Sequence, residues 1–130
     1  MEGETDLSQL LATLRVTRRA DPYVIVSVHK PPSLDDGIAA VITEEEGVTV
    51  VATEKAARAN GWSSDQHWSW LSLDVHSSLH AVGLTAAMAK ALTEASIPCN
   101  VIAGYYHDHL LVPCGKADAA IACLELLRAG

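Results

Sequence analysis

Long apolar runs are missing from this chain. None reaches the roughly 18 residues that a membrane-spanning helix needs, and Met1 to Asp6 carries three acids and no base, unlike a signal or transit peptide. The expectation is a cytoplasmic protein with no membrane partner. Positive charge is scarce: 9 Lys and Arg stand against 16 Asp and Glu, and the one basic cluster is Arg15, Arg18 and Arg19. Neutralising a phosphate backbone takes more than that, so nucleic acid is not an expected partner. Cysteine is sparse too. Cys99, Cys114 and Cys123 are odd in number and lack C-x-x-C spacing, which fits reduced, buried thiols better than a disulfide framework or a zinc site. There is no low-complexity tract or long linker. There is also no G-x-S-x-G elbow, Gly-rich phosphate loop or H-E-x-x-H helix, so neither an enzyme nor a cofactor is expected.

What remains is a chain of 130 residues, 49% apolar with net charge −7. A fold of that size buries about two-thirds of its unfolded surface. Leu7, Leu10, Leu11 and Leu14 form a helical stripe, with Asp6 as N-cap and Gln9 three residues on. Tyr23 to Val28 is a β-branched run between Asp21-Pro22 and Pro31-Pro32, which reads as a strand. Ile38 to Thr43 and Val48 to Ala52 make a hairpin around Glu44-Glu45-Glu46-Gly47, whose acids read as a solvated tip. A short helix from Thr53 to Asn60 follows, capped by Thr53 and stopped by Gly61.

From Trp68 to Val75 the pattern alternates. Ser69, Leu71, Leu73 and Val75 lie on one side; Trp68, Trp70, Ser72 and Asp74 lie on the other. The tryptophan face is either a patch for a partner subunit or a face covered by the chain itself. A helix from Leu79 to about Ser96 is expected to bury Leu84, Met88, Ala91 and Ala95, with Lys90, Thr93 and Glu94 wet. Asn100 to Tyr106 and His109 to Val112 read as a second hairpin around His107-Asp108. Ala117, Ala120, Ile121, Leu124 and Leu127 mark a closing helix. A shift of 61 positions lays the first hairpin and helix on the second, with Val50 on Leu111 and Lys55 on Lys116. The order of elements is that of an α+β protein made of two ferredoxin-like modules, antiparallel sheets with helices on one face. The modules are expected at residues 1–62 and 63–130, with the strand at 68–75 shared.

The segment Val75 to Val112, with VHSSL, AVGLTAA and NVIAGYYHDH, resembles the ACT-like proteins of a small bacterial family of uncharacterised function. Where that pattern has an acid after SSL, this chain has His80. The resemblance implies tandem ACT-like modules, a homodimer or similar assembly, and binding of an amino acid or similar small zwitterion as effector.

The residues supply a physical case for such a site. The strand-to-helix junction at His76, Ser77 and Ser78 would offer backbone N–H groups, a helix dipole and hydroxyls to a carboxylate. The ammonium would find Asp108 or the carbonyls of Ala103 and Gly104. The plainer alternative is that Ser78 only caps the helix and Ser77 only forms the turn. His107, Asp108 and His109, with His76 and His80, form a donor set that would bind metal only if three or four converged. Otherwise they are turn and surface residues, and no metal is expected. Ser77, His76 and Asp74, with His107 and Asp108 as base and orienter, lack any pattern that imposes a catalytic geometry. Cys99 and Cys114 lack a basic neighbour, and His29 and His67 read as solvated. The sequence therefore predicts a non-catalytic, small-molecule-binding regulatory protein. Its ligand site is expected at His76, Ser77, Ser78, His80, Ala103, Gly104, His107, Asp108 and His109. The alternatives are an interaction module without ligand and a His-rich metal-binding protein.

Overall fold

The computed structural model describes residues 2–75 and 83–129. Its elements are α1 (Glu2–Ala12), β1 (Arg15–Val28), β2 (Ile38–Thr43), β3 (Val48–Thr53), α2 (Glu54–Ala59), β4 (Trp68–Asp74), α3 (Leu84–Glu94), β5 (Asn100–Ala103), β6 (Asp108–Pro113) and α4 (Ala117–Leu126). The chain divides into two compact units, Met1–Arg19 with Ser69–Gly130, and Ala20–Trp68, and β1 runs through the boundary. Helices and antiparallel hairpins alternate along the chain in the α+β, ferredoxin-like manner.

In the smaller unit the strand order is β2-β3-β1. β1 pairs antiparallel with β3 from Tyr23↔Thr53 to Val28↔Val48, and β2 pairs with β3 up to Thr43↔Val48, with a bulge between Ile38 and Ala40. One face buries Val48, Val50 and Ala52 against Val26, Val41, Ala56 and Trp62. Thr53 Oγ1 accepts from the Ala56 N–H at 3.1 Å and caps α2 as the sequence predicts. Gly61, with φ 75°, closes the helix by taking the left-handed conformation that costs glycine least. Glu44, Glu45 and Glu46 are exposed at the hairpin tip. β1 is longer than the apolar run indicates, because Arg15 to Asp21 is extended but polar. Its ladder with β3 starts just after Pro22, so the missing proline N–H removes no bond from it.

In the larger unit the order is β1-β4-β6-β5. Leu71 and Leu73 of β4 and Leu110 and Val112 of β6 form the floor of a core closed by Leu84, Met88 and Leu92 of α3 and Ala117, Ala120 and Leu124 of α4, with Leu11 of α1 packed against it. α3 turns Leu92 inward, and Ala91 is only half-buried and Ala95 exposed, contrary to the expected stripe. A leucine buries more apolar area than an alanine, which decides the helix's rotation. α3 ends in a Schellman motif. Ser96 has φ 58°, its N–H donates to the Thr93 carbonyl at 2.9 Å, and the Ile97 N–H donates to the Leu92 carbonyl at 2.9 Å. The described part of α3 starts at Leu84 with Gly83, φ 92°, at its N-cap, while the expected cap Ser78 lies outside the described residues.

Two further readings are corrected. The second hairpin turns at Gly104 to His107 and not at His107-Asp108, because Ala103 pairs with Asp108 and the Gly104 N–H donates to the His107 carbonyl at 2.9 Å. The internal repeat is 60 residues and not 61: Thr43 and Val48 close the first turn where Ala103 and Asp108 close the second. The 60-residue shift also lays core-facing Val50 on Leu110 and buried Ala57 on buried Ala117. A shift of 61 would set each strand residue on the wrong face.

Candidate functional site

The alternation of β4 sends Trp70, Ser72 and Asp74 to the face opposite the leucine core, where β6 contributes His109. The Trp70 Nε1–H lies 3.1 Å from Ser72 Oγ and 3.2 Å from His109 Nδ1, and Ser72 Oγ lies 2.9 Å from the same Nδ1. The indole and imidazole centroids are 5.0 Å apart, and the Arg19 guanidinium lies over the indole at 4.2 Å. Trp70 is buried, 2% exposed, so it is not an open patch for a partner. Burial pushes the His109 imidazole below its ordinary 6.5; the charges of Arg19 and His107 add to this and Asp108 opposes it.

At the end of β4, Asp74 Oδ1 is 3.9 Å from His107 Nδ1, so the hairpin tip flanks the strand's exit. His107 and His109 share a side, with ring centroids 6.3 Å apart. Asp108 alternates to the side of Leu110 and Val112. Ala103 is exposed at the end of β5. A Cβ on Gly104 would meet the His107 carbonyl oxygen at 2.7 Å and His109 Nε2 at 3.0 Å, so only glycine fits the turn at this spacing. His76, Ser77, Ser78 and His80 lie outside the described residues. Next along the chain, the N-terminus of α3 has, among the described residues, no side-chain cap at Gly83 and no acid in its first turn.

No group of three or more His, Cys, Asp or Glu suited to a metal occurs among the described residues. The three cysteines are free and half-buried, and burial raises the Cys99 thiol above its ordinary value. Arg18 of the basic cluster pairs with Asp118 at 2.9 Å.

Sequence reasoning missed the Ser72–His109 contact, which spans 37 positions with no local signature. It also missed the pairing of His67 Nε2 with Glu54 Oε2 at 2.8 Å. The smaller unit carries an open groove of about 440 Å³ lined by Asp21, Asp36, Gly37, Thr53 and Lys55 among others. Its charged groups come from three separate segments, which sequence order did not join.

Profiles of the ACT domain match residues 2–69 and 63–125. A Vibrio cholerae protein of unknown function, suggested to act in transport, is 39% identical with a TM-score of 0.87, over 97% of this chain and 98% of its own. An Agrobacterium tumefaciens protein matches at TM-score 0.65 and 13% identity, over 88% of this chain and 89% of its own. A Porphyromonas gingivalis chain attributed to the C-terminal regulatory domain of aspartate kinase matches at TM-score 0.57 and 15% identity, over 90% of this chain and 98% of its own. At the two lower identities the likeness is one of fold. No curated protein matches the sequence. No helix among the described residues is long and apolar enough to cross a membrane.

Proposed function

The chain belongs to the ACT domain family, whose members are generally regulatory, ligand-binding modules, and from that premise we propose that it is a non-catalytic binder of an amino acid or similar small zwitterion. The observation that carries the reading is the N-terminus of α3, where among the described residues Gly83 has no side-chain cap and the first turn holds no acid. Such a terminus presents unpaired N–H groups and partial positive charge to a carboxylate. The segment leading into it contains His76, Ser77, Ser78 and His80, whose hydroxyls and rings supply further donors.

The hairpin is proposed as the other half. Gly104 keeps the turn tight, Ala103 and Gly104 offer carbonyls, and His107 and His109 stand on the side of Asp74. The ligand's ammonium is met by Asp74 beside His107, or by the carbonyls of Ala103 and Gly104. An effector of this kind suits a cytoplasmic homodimer that passes binding on to a partner.

The test is a thermal-shift screen against the common amino acids and nucleotides at millimolar concentration. A binder raises the melting temperature as RT ln(1 + [L]/Kd). Ser78→Ala weakens the shift, and a screen in which nothing moves the wild type counts against the proposal. The second reading, a partner-binding module without ligand, is favoured by Tyr105 and Tyr106, which are 77% and 82% exposed at the hairpin tip.

A further inference from the structure

We propose that Trp70 and Ser72 are positioning residues for His109: by holding Nδ1 as an acceptor they leave the ring's single proton on Nε2, where it faces Gly104 as an uncharged donor to an oxygen of the bound ligand. The inference rests on the amino-acid reading of the hairpin site and specifies one of its contacts.

An indole N–H can only donate. With Trp70 Nε1 at 3.2 Å from His109 Nδ1, a proton on Nδ1 would face the indole proton directly, whereas a lone pair there accepts it. The Ser72 hydroxyl, 2.9 Å from the same nitrogen, rotates to donate as well, while its oxygen still accepts from the indole at 3.1 Å. The one indole proton, shared between Ser72 Oγ and Nδ1, and the hydroxyl proton turned toward Nδ1 together call for a lone pair there, in the way a hydrogen bond to one ring nitrogen generally fixes the other. Arg19 bears on the ring's charge and not on its tautomer: its guanidinium packs on the Trp70 ring at 4.2 Å, and its charge opposes a second proton on the imidazole.

The opposite edge of the ring is where the absence of a side chain matters. A Cβ on Gly104 would sit 3.0 Å from His109 Nε2 and 3.3 Å from Cδ2, so glycine leaves the Nε2 edge uncovered on that side. Among the described residues Nε2 has no hydrogen-bond partner, and His109 is only partly buried. The charged and titratable groups around it are Arg19 from β1, Asp74 from β4, and His107 and Asp108 from the hairpin. A fixed, neutral N–H beside a bare glycine backbone recognises a carboxylate or carbonyl oxygen by geometry and not by net charge, which suits a zwitterion in an acidic protein.

The experiment is long-range ¹H–¹⁵N NMR on the imidazoles of the full chain, as wild type, Ser72→Ala, Ser72→Thr and Trp70→Phe. The wild-type His109 is expected to carry its proton on Nε2 across neutral pH. Ser72→Ala and Trp70→Phe are expected to raise the Nδ1–H population several-fold, with Ser72→Thr restoring the wild-type state. Ser72→Ala keeps the test open if Trp70→Phe does not fold. A wild-type ring protonated on Nδ1, or a tautomer unmoved by either variant, overturns the proposal. Glycine is then titrated against methylamine, which lacks the carboxylate. Movement of the Nε2 resonance with glycine alone, reduced at least threefold in Ser72→Ala, supports the ligand contact. The expected tautomer with no response to glycine overturns the ligand contact while leaving the positioning of the ring supported; the amino-acid reading falls only if the thermal screen also finds no amino acid that stabilises the wild type.

Discussion

Replacing Gly104 with alanine is the sharpest perturbation of the hairpin, because the cost follows from two distances. The added Cβ would sit 2.7 Å from the His107 carbonyl oxygen and 3.0 Å from His109 Nε2. The first neighbour is backbone, tied to the Gly104 N–H by the 2.9 Å bond that closes the turn. The second is a ring held at its far side by Trp70 and Ser72. Neither yields without breaking a hydrogen bond, so the substitution falls with overpacking changes of about 1–3 kcal/mol. At about 2.1 cal/mol/K of unfolding entropy per residue, a chain of 130 residues then melts about 4–11 °C lower. Gly115→Ala is the control: its Cβ meets nothing within 4 Å and its φ is not left-handed. That change is expected to be neutral within about 0.5 kcal/mol, or slightly stabilising through the unfolded chain. Differential scanning calorimetry of the two variants reads both. A Gly104→Ala protein melting within about a degree of wild type, or a Gly115→Ala protein falling as far, would refute the reasoning.

The lowered pKa of His109 means that the unfolded chain binds its proton more readily than the folded one. Its contribution to stability is therefore complete above the ordinary value of 6.5 and is lost as pH falls from there through the folded value. Urea unfolding at about pH 8 and about pH 5 is expected to show a smaller loss in His109→Gln than in wild type. Leu92→Ala opens a cavity in the core of the larger unit, where Leu92 is 1% exposed, and is expected to cost about 2–5 kcal/mol in urea titration. Ala95→Ser, on the exposed side of α3, is expected to stay within about 0.5 kcal/mol. Thr53→Ala removes the 3.1 Å cap of α2 and is expected to lower stability by about 1 kcal/mol, with Thr53→Ser recovering most of it.

Much of the architecture was legible because hydrophobic period and cap chemistry are local signals. Thr53 announced α2, and the alternation in β4 announced which of its residues face the leucine core. The failures have physical causes. Residues 15 to 21 carry charge in an extended segment, so period-2 hydrophobicity misses the first half of β1. Ala91 and Leu92 are adjacent apolar residues, and only packing decides which turns inward. The second turn was misplaced because Tyr105 and Tyr106 look like strand residues, whereas they sit exposed at the tip. That error carried the repeat off by one. At the site, the histidines could be picked out as chemically capable, but the partners that set the state of His109 arrive from another strand.

The most direct test of the central claim is ¹H–¹⁵N chemical-shift mapping of the full chain with the amino acid that stabilises it most in the thermal screen. Saturating ligand is predicted to move the amides of Gly104 to His109 together with those of Leu84, Thr85 and Ala86 at the start of α3. Perturbations confined to the Asp21–Lys55 groove of the smaller unit, or absent from both regions for every amino acid tried, would contradict it.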